Sequence, residues 1–324
     1  MPSPSTSLAT LRPELAGSLM EFDLAMNYAG MVANRILPVM DVQVASGKYG
    51  KIPIEQLLQQ RETRRAPGSG YSRGNFSFTE LSFACEEHGA EEVVDDREAA
   101  IYAEYFDAEL VATMRAYSAV LVNQEKRVAD LLFNTSTYTG ASLYTDLSTT
   151  WATHSTATPI ADVLAASKKV YDNTGLFANA LIINRFVWRD LIRCSQIIDA
   201  IEASGAGTPA KLRDITTDMV ARALDLDMVI VADSTRNSAT EGQAATPGQI
   251  WSSSYAMVAR VCTTNDIREP GLGRIFHYTG DGSSYNGTVE SYRDENVRGD
   301  VIRVRHDVDE VIHYTECGHL LKVD

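Results

Sequence analysis

The side chains best suited to metal chemistry gather late in the chain: His306, His313, Cys317 and His319. A structural zinc site needs nitrogen or sulfur donors at recurring short intervals, and these intervals match none of the common ones. On an extended chain His313, Cys317 and His319 share parity, which ordinary positions on the polar face of a strand explain equally well. An acidic run, Glu86, Glu87, Glu91, Glu92, Asp95 and Asp96, offers the oxygens that calcium prefers. It lacks the spacing of a calcium loop, with ligands at alternate positions and a central glycine, so a solvated or inter-subunit face is expected and no metal. "RAPGSG" at residues 65–70 has glycines for cradling a phosphate, but no lysine and hydroxyl follow and no strand leads in. The patterns G-x-S-x-G, H-E-x-x-H and G-x-G-x-x-G are all missing. No catalytic residue, cofactor or metal is assigned, and the expectation is a protein that is not an enzyme.

What remains is charge. The 324 residues carry a formal charge of −14, which disfavours binding nucleic acid by phosphate neutralisation. Against that background Arg61, Arg64, Arg65 and Arg73 crowd one glycine- and proline-broken stretch with few apolar residues. The acidic run follows directly, so the two are read as complementary surfaces, meeting within one chain or between copies of it. A third charged stretch, "VRGDVIRVRHDVDEVI" at residues 297–312, alternates with period two. Ile302, Val304, Val308 and Ile312 fall on one side, and Arg303, Arg305, Asp307 and Asp309 on the other. The turn-like "ENVRGD" before it predicts that a strand over 289–293 folds back antiparallel, giving a long charged two-stranded ribbon.

The elements positioning these charges follow from pattern. Residues 1–45 read as a polar, irregular arm with a short helical stretch. Asp95 or Asp96 caps a predicted helix reaching about Phe133, with Tyr102, Phe106, Leu110, Met114, Tyr117, Leu121, Val128 and Leu132 at helical spacing. Such a helix would span about 50 Å at 1.5 Å per residue, the size of a strut. A Thr- and Ser-rich connector leads to an α/β region after Pro159, with strands "ALIIN" and "DMVIVAD" between helices. From Arg274 onward strand dominates. No run is long and apolar enough to span a bilayer, no secretory signal pattern opens the chain, and the four scattered cysteines are read as reduced thiols.

Taken in order, these pieces resemble a tailed-bacteriophage major capsid protein of the Hong Kong 97 fold, in the lambda head-protein-like family. Encapsulin shells share that fold. The resemblance is carried by "SGKYGKIP", "RAPGSGY", "CEEHGAEEVVDDREA", "EKRVADLLFN", "TPIADVLAASK", "VRGDVIRVRHDVDEVI" and "CGHLLK", in this order and over nearly the whole chain from about Ile36. It implies an α+β fold with an N-arm at 1–45 and an extended E-loop at 46–80. It further implies a peripheral domain at 81–158 and 271–313, with a spine helix over about 96–133, and an axial domain at 159–270 and 314–324. The function implied is self-assembly, through pentamers and hexamers, into an icosahedral phage head enclosing double-stranded DNA without sequence-specific binding. The implied location is the virion, assembled in the host bacterial cytoplasm, with no membrane partner. With no further N-terminal helical segment of the fused-scaffold kind, a separate scaffolding protein is expected, alongside a portal and a decoration protein. The subunit-interface candidates are Arg61, Arg64, Arg65, Arg73, Glu86, Glu87, Glu91, Glu92, Asp95, Asp96, Arg303, Arg305, Asp307 and Asp309. The alternatives are an encapsulin-like shell enclosing cargo and a soluble α/β enzyme built on 159–270.

Overall fold

The computed structural model describes residues 30–51, 53, 56, 58–75, 77–103, 107–203, 214–240, 242–264, 266, 268–285 and 287–324. Most of the expected N-terminal arm therefore lies outside the described residues. A one-turn helix α1 (Ala33–Ile36) leads into strand β1 (Val39–Val42). Strands β2 (Ser46–Lys51) and β3 (Thr79–Ala84) then pair antiparallel, Ser46 opposite Ala84 and Lys51 opposite Thr79. Between them the chain leaves the body as a long loop, and every residue from 58 to 75 is exposed.

The acidic run, read as an exposed surface segment, is strand β4 (Glu86–Asp95). Asp95 ends it as a helix cap, accepting hydrogen bonds from the backbone N–H groups of Arg97 and Glu98, so α2 (Asp96–Tyr102) starts where expected. The single helix over about 96–133 is not found. A second cap, Asp107, accepts from Glu109 and Leu110 N–H and starts α3 (Ala108–Leu132) afresh. An aspartate so placed satisfies two of the donors orphaned at a helix start, which makes a break there inexpensive. In addition, α2 has no buried residue whose packing would carry it onward. From Ala108 the helix runs unbroken through Met114 and Tyr117 for 25 residues, about 37 Å. Its buried row is Ala112, Ala116, Val120, Gln124, Val128 and Leu132, while Leu110 and Met114 are exposed. Small side chains face the covering sheet because they allow close approach.

The second half of the chain alternates. Strand β5 (Tyr144–Asp146) precedes α4 (Pro159–Thr174), which ends at Gly175 in the left-handed conformation (φ 72°). There follow β6 (Ala180–Asn184), α5 (Arg185–Leu191), α6 (Ser195–Ile201), α7 (Thr217–Ala223) and β7 (Met228–Ala232). A small hairpin of β8 (Thr235–Asn237) and β9 (Pro247–Gln249) leads to β10 (Tyr255–Ala259). Finally come β11 (Gly273–Tyr278), β12 (Thr288–Asp294), β13 (Gly299–Ile312) and β14 (Gly318–Lys322).

Two five-stranded sheets result. One has the order β5-β14-β10-β6-β7 and is buried on both faces. Leu181, Ile183, Val258 and Leu321 pack with Val163 and Val170 of α4. Ile182, Ile230, Met257 and Leu320 pack with Val128 and Leu132 of α3 and with Ile36 of α1. The other has the order β1-β11-β13-β12, with β4 also pairing β13. The predicted strand pair β12–β13 is present, Val289 opposite Val304. It is not a free two-stranded ribbon: β4 lies along the other edge of β13, from Asp95 opposite Gly299 to Glu86 opposite Val308. The architecture is α+β. The apolar face of β13 (Ile302, Val304, Val308) lies over α3, as the period-two pattern implies.

Candidate assembly surface

Directly opposed residues of an antiparallel pair point to the same side. Arg303 therefore shares the open face of the peripheral sheet with Glu91 of β4 and Glu290 of β12. Its guanidinium is 2.6 Å from Glu91 and 3.7 Å from Glu290, and it stacks over Tyr292 at 5.3 Å. Arg305 continues the ladder with Asp281 at 2.7 Å, Glu290 at 3.0 Å and Asp307 at 3.1 Å. At the turn, Arg293 holds Asp96 at 2.5 Å. The Arg305 hydrogen bond, helped by two from Ser283, holds the Asp281 carboxyl far below the usual carboxylate range. The hydrogen bond from Arg293 lowers Asp96 in the same sense. Arg303, Arg293 and Asp96 are open to solvent, which screens their pairs strongly, so the main effect of the ladder is to fix strand register.

The predicted interface residues separate into two sets. Glu91 joins Arg303, Glu92 lies 3.4 Å from Arg115 of α3, Asp95 is consumed as a helix cap, and Asp96 meets Arg293. Asp309 accepts the Ala84 N–H at 2.8 Å, tying the base of the long loop to β13; burial pushes its carboxyl, and that of Asp307, up. Much of the acidic segment is thus matched inside its own chain. Glu86 and Glu87 are exposed and make no ion pair among the described residues. Arg61, Arg64, Arg65 and Arg73 are likewise exposed on the loop and make no such pair. Arg65 donates to the Ser69 carbonyl at 2.6 Å and stacks over Tyr71 at 4.9 Å, so its partners are local.

Sequence reasoning missed Arg293, Asp281 and Glu290, whose signal is the cross-strand register. It also missed Glu125, buried on α3. The Glu125 carboxylate accepts from Val32 N at 2.9 Å, Ala33 N at 3.0 Å and Trp251 Nε1 at 2.6 Å. Burial pushes this carboxyl up, and the N–H donors oppose that. Glu125 therefore fixes where the N-terminal segment meets the body. The C-terminal histidines are scattered: His313 packs on Tyr49 and Phe276, while His319 bonds the Ser142 carbonyl and Thr145 hydroxyl, each at 2.9 Å. Among the described residues no three His, Cys, Asp or Glu side chains are grouped to hold a metal, and no described helix is long and apolar enough to cross a membrane.

A spine helix under a charged sheet, a doubly covered mixed sheet beside it and a long projecting loop together define the capsid fold of the Hong Kong 97 type. A crystal structure of a phage-related protein from Bordetella bronchiseptica RB50 superposes with TM-score 0.65 over 96% of both chains at 19% identity. The capsid of cyanophage P-SCSP1u gives 0.57 over 89% of this chain and 86% of that one, at 10% identity. In sequence, the chain is 24% identical to the major capsid protein of Burkholderia phage BcepMu over 214 residues, 65% of this chain and 67% of that protein. It is 22% identical to the major capsid protein of Pseudomonas phage JBD67 over 299 residues, 91% and 92% of the two chains. No family model matches. The chain is a homologue of phage major capsid proteins, and its role is structural rather than enzymatic.

Proposed function

We propose that copies of this chain form pentamers and hexamers that close into the icosahedral head of a tailed phage around double-stranded DNA. The observation that supports this best is the long loop with residues 58–75 fully exposed, bearing four arginines without an ion partner among the described residues, on a fold shared with phage capsids. Such a loop has no core of its own, and a neighbouring copy is the natural place for it to land. In this reading residues 1–45 are the N-arm and 46–80 the E-loop. The peripheral domain is 81–158 with 271–313, and the axial domain 159–270 with 314–324. Arg61, Arg64 and Arg65 meet acidic groups of a neighbour. Since Glu91, Glu92 and Asp96 already have partners, Glu86 and Glu87 are the better candidates within that segment. A separate scaffolding protein, a portal and a decoration protein are the further partners, and assembly takes place in the host cytoplasm. Sedimentation at high protein concentration, with and without scaffold, followed by negative-stain microscopy, tests the proposal. Only a compact monomer would refute it. Closed shells that enclose protein cargo and exclude DNA would point instead to an encapsulin-like use.

A further inference from the structure

Three histidines meet beneath the peripheral sheet. His88 of β4 lies directly opposite His306 of β13, and His277 of β11 lies opposite Val308, two residues along the same strand. Parity places all three on the side that α3 covers. Tyr285 completes the row: ring centroids are 6.1 Å apart for His88 and His306, 6.4 Å for Tyr285 and His306, and 5.9 Å for His277 and Tyr285. His306 is 0% and His277 1% exposed.

The tautomers follow from the partners. His306 Nδ1 is 3.4 Å from the Tyr285 carbonyl oxygen, and His277 Nδ1 is 2.9 Å from the Asp41 carboxylate. Both partners only accept, so Nδ1 carries the hydrogen in each ring. The Nε2 atoms of both rings are buried and without a hydrogen-bond partner among the described residues. A second proton has to go there.

We propose that the His88–His306 pair, with Tyr285 and His277 packed beside it, is an acid-release device, in which a second proton on His306 or His88 drives the peripheral sheet off α3. The surrounding charges decide the balance. From α3 come Arg127 and, farther off, Glu125; from β13 Glu310 and Asp307; from β4 Glu86; from β1 Asp41. Glu310, the carboxylate that pulls hardest on His88, is already engaged by Arg127 at 2.8 Å. An imidazolium at His306 would therefore be a second cation near Arg127, whose own carboxylate partner is already taken. Burial, with Arg127 adding to it, lowers His306 to about 4 and lowers His88, although Glu310, Glu86 and Asp307 pull His88 the other way. A folded-state value below the ordinary one means that this packing is fully stable above about 6.5 and weakens as pH falls toward about 4.

Hydrogen exchange of the full-length protein at pH 7.5, 6 and 5 tests this in peptides covering 110–132 and 299–312. After correction for intrinsic exchange, opening of the sheet from α3 should rise on the order of 10- to 100-fold at pH 5. In His306→Gln combined with His88→Gln, which do not titrate, the same peptides should stay protected. Unchanged wild-type protection, or equal opening in the double variant, would overturn the proposal, the latter by assigning the effect to carboxylates. Should the variant not fold, ring-proton NMR of the wild type decides. A His306 ring that stays neutral well below 6.5 and protonates as the sheet opens supports the device, and ordinary titration near 6.5 with no opening overturns it.

Discussion

Replacing Glu125 with alanine removes the acceptor for three buried N–H groups at once, those of Val32, Ala33 and Trp251. Leaving a buried donor unmatched costs ~1–3 kcal/mol, so the gross loss for three is ~3–9 kcal/mol if no water enters. Removing a carboxylate that burial already disfavours offsets part of this, and a net ~3–5 kcal/mol is expected. That is a large share of the ~5–15 kcal/mol that holds a typical domain together. Glu125→Gln should cost less, ~1–2 kcal/mol. Its oxygen can keep the Val32 and Trp251 bonds made by Oε1, but its NH2 would then face the Ala33 N–H across from Oε2. Urea unfolding of the unassembled chain, followed by circular dichroism, measures both values. Proteolytic cleavage within residues 30–42 under native conditions should accelerate in the alanine variant, because the clamp on α1 is gone. A Glu125→Ala midpoint equal to wild type, or a glutamine variant less stable than alanine, would show that the three donors are satisfied otherwise and sink the clamp argument.

Three further outcomes are expected. Ala116→Pro, at a fully buried position mid-way along α3, should cost ~3 kcal/mol or more through the lost hydrogen bond and ring clash, and light scattering should detect no assembly. Neutralising Arg61, Arg64 and Arg65 together should leave the unfolding midpoint unchanged while slowing assembly. Wild-type assembly should itself weaken with salt, as exposed charges are screened beyond ~8–10 Å, and equal assembly rates at low salt would retire the charge pairing. Arg303→Ala should leave the urea unfolding midpoint close to that of the wild type, since the Glu91–Arg303–Glu290 ladder is open to solvent.

How much the chain reveals before folding depends on how far apart its partners lie. The face of β13 is legible because alternation is local: each residue's side follows from its neighbour's. The N-cap at Asp95 is legible for the same reason. The restart at Asp107 was hidden, since an aspartate fits an exposed helical position as well as a cap, and the apolar spacing runs through it. That same spacing pointed to Leu110 and Met114 as the packing face, whereas the sheet selected the alanine row for its closeness. The role of β4 was hidden by distance. Glu91 reads as a surface charge until Arg303, 212 residues on, is laid beside it. Glu125 is harder still, because nothing near it announces two backbone donors 92 and 93 residues earlier.

Strand β13 also sets a timetable for synthesis. It is the shared neighbour of β4, β11 and β12, and β14 sits between β5 and β10 in the other sheet. Until residues 299–322 have left the ribosome, β4 has no partner and β5 hangs from nothing. At ~5–20 residues per second, the interval from β4 to β13 is roughly 10–40 s, during which the acidic strand is an open edge repelled by its own charges. Of its glutamates, Glu91 and Glu92 later meet arginines, and charge of this kind on an open edge disfavours edge-to-edge pairing. A chain interrupted before β13 presents neither finished sheet, so it cannot offer a neighbour a complete docking surface. In the proposed assembly, only chains whose translation has passed β13 would carry that surface.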